Sequence, residues 1–290
     1  MIKIGNAVVS RVEEQCGLGF FPEMLFPDWS GEALEKHRDW MVPTYFDELE
    51  NRFIASIHTW VIKTRHHTIL VDTCAGNDKE RPLIERFHRR NLPYLENLMA
   101  AGVRPEDVDY VLCTHLHADH CGWNTRLMDG RWVPTFPNAK YVFSRAEYEH
   151  WSGPAGKEGF NVNVYEDSVL PIIEAGQAEI VESDHALGDN LVFHPTPGHC
   201  AGHMAIRLID AGDEAVFSGD TMHQPIQIYE PHWNSAFCED AELARASRRW
   251  VLEHCSSTDA LLLPAHFAGT FAGHVRRKGD AFSWCPLPSR

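Results

Sequence analysis

Basic charge is in short supply: 26 Lys and Arg stand against 41 Asp and Glu, a formal net charge of −15. That balance argues against a nucleic-acid backbone as partner, because such contacts need cations to displace counter-ions. No run approaches the roughly 18 apolar residues that cross a bilayer. The start, Met1-Ile-Lys-Ile-Gly-Asn, lacks the basic head and apolar stretch of a secretory signal. Cysteines are present (Cys16, Cys74, Cys113, Cys121, Cys200, Cys238, Cys255 and Cys285), but there is no Cys-x-x-Cys pair and no short secreted framework. They read as free thiols in a reducing compartment, so a cytoplasmic setting is expected. Linker-like Gly/Ser or Pro-rich tracts and short-period repeats are absent too. A chain of 290 residues without such breaks reads as one domain able to bury a sizeable core, with residues 16–50 as an aromatic-rich insertion.

Periodicity gives a coarse outline. Strands are expected at Ile2–Ser10, at Ile54–Lys63 and Thr68–Asp72 around a polar turn, and at Tyr110–Cys113 and Lys140–Phe143. Helices are expected at Asn91–Ala101, from Ser144 to Trp151, and at Ser168–Ala175 with Asp167 as cap. The second half repeats the theme: strands at Glu179–Glu182, Leu191–Thr196, Met204–Ile209, Ala215–Ser218 and Leu261–Leu263, with a long helix at Ala241–Cys255. Strand-rich stretches interrupted by helices in both halves predict an α/β architecture of layered sheets with helices outside.

Histidine is what the chain has in abundance, 18 copies, several grouped. Thr114-His115-Leu116-His117-Ala118-Asp119-His120 follows the apolar run Val108–Cys113 directly. In extended chain His115 and His117 project to one side. A turn then brings Asp119 and His120 to a second point nearby, which suits two adjacent cations. Neutral imidazole and carboxylate are donors for zinc, and iron or manganese accept the same set. Further candidates end later strands: Thr196-Pro197-Gly198-His199, Ser218-Gly219-Asp220 and Pro264-Ala265-His266. Loop residues at several strand ends are how a rigid scaffold aims side chains at one point.

In this order the motifs resemble the metallo-β-lactamase superfamily, over most of the chain from Ile54 to His266. The resemblance implies a four-layer αββα sandwich with a dinuclear metal centre. It also implies the ligand set: His115, His117 and His199 on one ion, Asp119, His120 and His266 on the other, and Asp220 shared. Asp72, in Leu70-Val-Asp-Thr, matches the family's first motif and is expected to orient a ligand imidazole rather than touch metal. His203 is expected to be a structural hydrogen-bonding histidine near the third motif.

Departures within the motifs separate the branches. Asp220 stands where the antibiotic-hydrolysing members place a cysteine, and His117 where flavin-linked di-iron members have glutamate. His223 occupies the position that resembles a substrate-binding tyrosine of acyl-homoserine lactone lactonases. The first two features keep the chain on the hydrolase side, and histidine at 223 in place of tyrosine resembles the organophosphate hydrolases and broad-specificity esterases more than a simple lactonase. The expected activity is therefore hydrolysis of a small, hydrophobic lactone, ester or phosphotriester by a hydroxide shared between two Zn²⁺ ions. Asp119 or Asp220 would shuttle the proton, and His223 would donate to the developing charge. Phe20, Phe21, Trp123, Trp233 and Phe267, with His232 and Phe237, are expected to line an apolar pocket. The 16–50 insertion reads as a lid or as a homodimer contact. The competing readings are a mononuclear or di-iron redox enzyme, a hydrolytic dehalogenase of aromatic substrates, a nuclease, and a non-catalytic metal-binding protein.

Overall fold

A computed structural model describes residues 1–188 and 190–288, and the chain divides into two compact units. The first comprises Met1–Gln15 with Ile57–His185, and the second Cys16–Ser56 with Ala186–Arg290.

In the first unit the sheet order is Ile2–Ile4, Ala7–Leu18, Arg52–Lys63, Thr68–Val71, Tyr110–Leu112, Lys140–Ser144 and Ala178–Val181. The middle strands are parallel: Val71 lies beside Leu112, and Leu112 beside Val142. Parallel neighbours need crossovers: the Tyr94–Ala100 helix lies in the first of these connections, and Arg145–Ser152 in the one leading from Lys140–Ser144 to its other parallel neighbour, Ala178–Val181. One consequence positions chemistry: Asp72 leaves the C-terminal end of one strand next to Thr114–His120 leaving the adjacent one. Tyr94, Tyr141, Phe136, Phe143 and Val111 are buried in the core of this unit.

The second unit's sheet runs Ala186–Leu187, Leu191–Pro195, Met204–Asp210, Asp213–Phe217, Leu261–Leu263, Gly273–Lys278 and Ala281–Pro286. Asp213–Phe217 and Leu261–Leu263 are parallel, with Phe217 beside Leu263. The turns bearing Asp220 and His266 therefore start from the same sheet edge. The His199 turn starts there as well, since Pro195 pairs with Met204 and Ile206 with Phe217. The Ala241–Thr258 helix has Asp240 as its cap, whose carboxylate accepts the Glu242 and Leu243 N–H groups.

Several expectations shift. Ile2–Ser10 is a hairpin rather than one strand, because Gly5 takes a positive φ of 57° and reverses the chain. The helix expected from Asn91 starts at Tyr94, after Pro93. Asp167 is not a helix cap: the Arg81 guanidinium donates to both of its carboxylate oxygens at 2.7 Å, and a π-helical turn, Tyr165–Val169, leads into Leu170–Glu174. The hairpins Thr125–Met128 with Arg131–Pro134, and Gly273–Lys278 with Ala281–Pro286, were not expected at all. Residues 16–50 carry two helices, Pro22–Leu25 and Gly31–Met41. Their aromatics are largely structural: Phe26 and Phe46 are fully buried with Phe53, Met41 and Trp233 in one core cluster. Among the described residues no helix is long and apolar enough to cross a membrane.

Candidate metal centre

In the first unit the His115, His117 and His120 rings cluster, with centroids 4.5 Å apart for the first pair and 4.0 Å for His115 and His120. All three are buried, while Asp119 is only partly so. The turn that gathers them is closed by the His120 N–H donating to the His117 carbonyl. Outside it, Asp72 organises the cluster. Its Oδ1 accepts the Thr114 N–H at 2.8 Å, and its Oδ2 lies 2.9 Å from His120 Nδ1. Because a carboxylate only accepts, Nδ1 carries a proton, and in the neutral ring Nε2 then has the lone pair. That lone pair lies 3.7 Å from Asp119 Oδ1. Asp72 does this from a left-handed backbone conformation, φ 57°, which only Gly, Asn and Asp adopt readily.

Glu147 fixes the other side of the loop. Its Oε2 accepts the Leu116 N–H and the Trp151 indole N–H, each at 2.9 Å. The Trp151 and Phe160 rings then hold the His117 ring edge-on. Glu14 accepts the N–H groups of Ala75 and Gly76 and the indole of Trp123, cross-linking the Asp72 loop to the segment after His120. Burial pushes its carboxyl upward, against the lowering effect of those three donors. Gly122 is required in that segment: a Cβ there would meet the Ala75 carbonyl at 1.9 Å.

In the second unit three imidazoles surround one carboxylate. Asp220 Oδ2 lies 3.3 Å from His199 Nε2 and 3.2 Å from His223 Nε2, and Oδ1 lies 3.0 Å from His266 Nε2. The far nitrogen of His266 donates to the Ser56 carbonyl at 3.1 Å, so Nε2 again turns a lone pair toward a carboxylate. His203 Nε2 accepts the Asp220 backbone N–H at 2.9 Å, and its Nδ1 donates to Thr196 Oγ1 at 2.8 Å. It therefore aims Asp220 without facing it. Gly198 lets the His199 turn press onto the Ala241–Thr258 helix, where a Cβ would meet the Ala244 nitrogen at 2.0 Å.

A neutral imidazole lone pair facing a carboxylate oxygen is unfavourable unless a proton or a metal ion lies between them. This arrangement recurs in both units, at His120 with Asp119 and at His266 with Asp220. The donor set is nitrogen and oxygen, the mixture that suits zinc, iron or manganese. His199, Asp220 and His223 by themselves bring ligand atoms within 4.8 Å of one another.

The expected pocket residues separate into two classes. Trp123 is core, stacked on Tyr94 at 5.2 Å with its N–H on Glu14. Phe267 is fully buried against Trp284, and Trp233 packs on Phe26 and Trp29. Each neighbours a motif in sequence, but strand and turn direction sends its side chain into the core. Phe20 and Phe237 remain partly exposed, 5.2 Å apart, and Phe237 stacks over the His223 ring. Phe21 is exposed beneath Arg52. Glu147, Glu14, Gln227 and Arg248, which hold these loops, carry no motif signal in sequence.

The sequence profile of the metallo-beta-lactamase superfamily matches residues 55–266. An N-acyl homoserine lactonase of Bacillus cereus is 28% identical over 111 residues, covering 38% of this chain and 37% of the lactonase. The N-acyl homoserine lactonase AttM of Agrobacterium fabrum (strain C58) is 32% identical over 114 residues, covering 38% of this chain and 40% of AttM. The matched part thus spans about two-fifths of those lactonases. Among solved structures, the hydrolase AbOPH of the beta lactamase superfamily aligns with a TM-score of 0.83 at 22% identity, over 100% of this chain and 97% of that one. AidC, a dizinc quorum-quenching lactonase, aligns at 0.79 and 21% identity, with the same coverage of 100% and 97%. With its motifs in family order and the profile covering most of its length, the chain belongs to the metallo-β-lactamase superfamily and has its fold.

Proposed function

We propose that this protein is a dinuclear metal-dependent hydrolase of small, uncharged ester-like molecules, with lactones first among the candidates. One observation carries the reading: the buried Nε2 atoms of His120 and His266 face Asp119 and Asp220, while the opposite ring nitrogens are already held by Asp72 and Ser56. The lactonase relatives and the dizinc lactonase fold neighbour support the same direction. By the family's pattern, His115, His117 and His199 would hold one ion, Asp119, His120 and His266 the other, and Asp220 would serve both. That nitrogen and oxygen set suits zinc, iron or manganese, and the dizinc lactonase neighbour makes zinc the first candidate. When bound, such cations supply Lewis acidity and bring the pKa of a water to about 7, so that hydroxide is available at neutral pH.

The chain's own groups do the rest. His223 Nε2 rests on Asp220 Oδ2, and its buried Nδ1 has no hydrogen-bond partner among the described residues. A buried imidazole nitrogen without a partner is costly in the free protein; with a proton on each ring nitrogen, Nε2–H on Asp220 would leave Nδ1–H to donate to a substrate oxygen. His223 is thus the group assigned to the developing negative charge. Asp119, partly exposed, is placed to accept and pass on a proton, and Asp220 is held by His203 so that its two oxygens keep their separate neighbours. Phe237 and Phe20 offer an apolar wall beside His223, which suits an acyl chain or aryl group. The cysteines among the described residues are all free thiols, in keeping with a reducing, cytoplasmic setting.

The test is a panel of acyl-homoserine lactones, p-nitrophenyl esters and aryl phosphotriesters, run on native, chelator-stripped and zinc-restored protein with metal content measured. Turnover lost with the metal and regained with zinc supports the reading. Iron in the purified protein together with no hydrolysis of any class overturns it in favour of redox chemistry.

A further inference from the structure

Two buried side chains outside the motifs clasp the Asp220–His223 segment to the loop that follows it. Arg248, on the Ala241–Thr258 helix, is 1% exposed. It donates to three carbonyl-type oxygens: Thr221 O at 2.9 Å, Pro231 O at 2.7 Å and Asn234 Oδ1 at 3.0 Å. None of these is a carboxylate, and burial drives its pKa down to about 10. Gln227, fully buried, accepts the His223 N–H at 2.7 Å and donates to the Trp233 carbonyl at 3.0 Å. Asn234 Nδ2 in turn donates to the Ala241 carbonyl at the start of the helix.

A guanidinium among neutral acceptors is an expensive way to fill space, since a methionine or leucine would occupy similar volume without desolvating a charge. What the planar fork adds is direction: three oxygens, from two segments, fixed by one rigid group. Gln227 ties the same two segments from the other side, Thr221–His223 and Pro231–Asn234. Those segments lead to different parts of the site. The first carries Asp220 and His223, and the second runs on to Phe237, which stacks over the His223 ring.

We propose that Gln227 and Arg248 are positioning residues that together set the angle at which Asp220 presents its carboxylate and the gap between His223 and Phe237. The proposal rests on the metal-dependent hydrolase reading above. Neither residue touches the reacting atoms; each acts through the backbone of its neighbours. If they were merely core, their loss would lower stability and leave metal affinity alone. If they position the turn, metal affinity falls by the amount seen when groups supporting a ligand are removed, about 10–100-fold.

The experiment compares Gln227→Met, Arg248→Met and a core control on the same helix, Leu252→Ala, whose fully buried aliphatic side chain makes no hydrogen bond to either segment. Zinc affinity is measured by competition with a chromogenic chelator, melting temperature on the stripped proteins, and kcat and KM on an aryl and a short-chain ester. The expected result is zinc affinity about 10–100-fold lower in both clamp variants and unchanged in Leu252→Ala, although the control also loses roughly 5–10 °C. KM for the aryl ester is expected to rise more than for the short ester, because the Phe237 wall has shifted. Clamp variants that bind zinc as tightly as Leu252→Ala does would overturn the inference while leaving the hydrolase reading intact. Wild-type protein that takes up no zinc sinks the hydrolase reading instead. Should Arg248→Met fail to fold, Gln227→Met, which removes no charge, decides the matter by the same comparison.

Discussion

The two units solve the same coordination problem in opposite ways. In the first, four candidate ligands lie between His115 and His120, and two carboxylates, Asp72 and Glu147, steer that one loop. In the second, His199, Asp220 and His266 come from three separate turns, and neutral groups steer them: His203, the Ser56 carbonyl and Gln227. The lesson is about charge. A loop crowded with imidazoles can be oriented by anions, which fix the tautomer as well as the ring. A turn built on a carboxylate cannot be, since a second carboxylate beside Asp220 would repel it. It has to be held through its backbone.

The largest effect that would test this contrast is at the carboxylate itself. Asp220→Ala removes the group that three imidazoles face, and hydrolysis should fall by more than about 10³-fold with loss of metal uptake. Retention of a full metal complement by Asp220→Ala would mean that the second unit's histidines do not need it. Asp72→Asn comes next. Asparagine tolerates the left-handed backbone at this position, so the fold is kept while the anion beside His120 Nδ1 is lost. Metal affinity should fall about 10–100-fold, with the melting temperature of stripped protein nearly unchanged. A larger loss of stability than of affinity would show Asp72 to be a strut for the strand end and nothing more.

That same contrast explains what sequence could and could not reveal. The His115–His120 run is local, so a grouping of its imidazoles is expected from sequence, although bends at Thr114, His115 and His117 rather than extended chain gather them. His199, Asp220 and His266 were legible only as strand-end residues, and their convergence depends on the parallel pairing of Phe217 with Leu263, which sequence does not state. Arg248 and Gln227 left no trace, because an arginine in a helix reads as solvent-exposed until burial is known. The pocket was only partly legible, for a related reason. Trp123 and Phe267 lie close to motifs in sequence, but the helical turn Gly122–Asn124 directs Trp123 onto Tyr94, and Phe267 packs against Trp284.

Buried cations sharpen the comparison at smaller amplitude. Lys79 in the first unit is fully buried, 3.5 Å from Asp167 and over the Trp132 ring, whereas Arg248 in the second meets only neutral oxygens. Burial lowers the Lys79 pKa from 10.5 to about 7. With the folded value below the unfolded one, the unfolded chain binds more protons across that interval, so this residue's contribution to stability rises with pH between them. Conversely, that contribution is lost as pH falls toward 7. In Lys79→Met the rise in melting temperature from about pH 7 to about pH 10 should be shallower than in the wild type. An unchanged slope would place the ammonium in an environment wetter than the one described.

The smallest effects distinguish aromatics that build the core from those that face substrate. Trp123→Phe keeps the ring stacked on Tyr94 but deletes the N–H that Glu14 accepts. An acceptor in the interior then loses one of its three donors, which costs about 1–3 kcal/mol. Melting temperature should drop by a few degrees while KM stays put for every ester in a series. Phe20→Leu should do the reverse. Phe20 is partly exposed and lies 5.2 Å from Phe237, so truncating it removes little core but opens the wall beside His223. One or two lost contacts with a bulky acyl or aryl group are worth about 1 kcal/mol, a several-fold rise in KM for the largest ester with kcat retained. If Trp123→Phe changed KM and Phe20→Leu changed only stability, the division between core and wall would be reversed, and with it the assignment of the substrate's apolar end to the second unit.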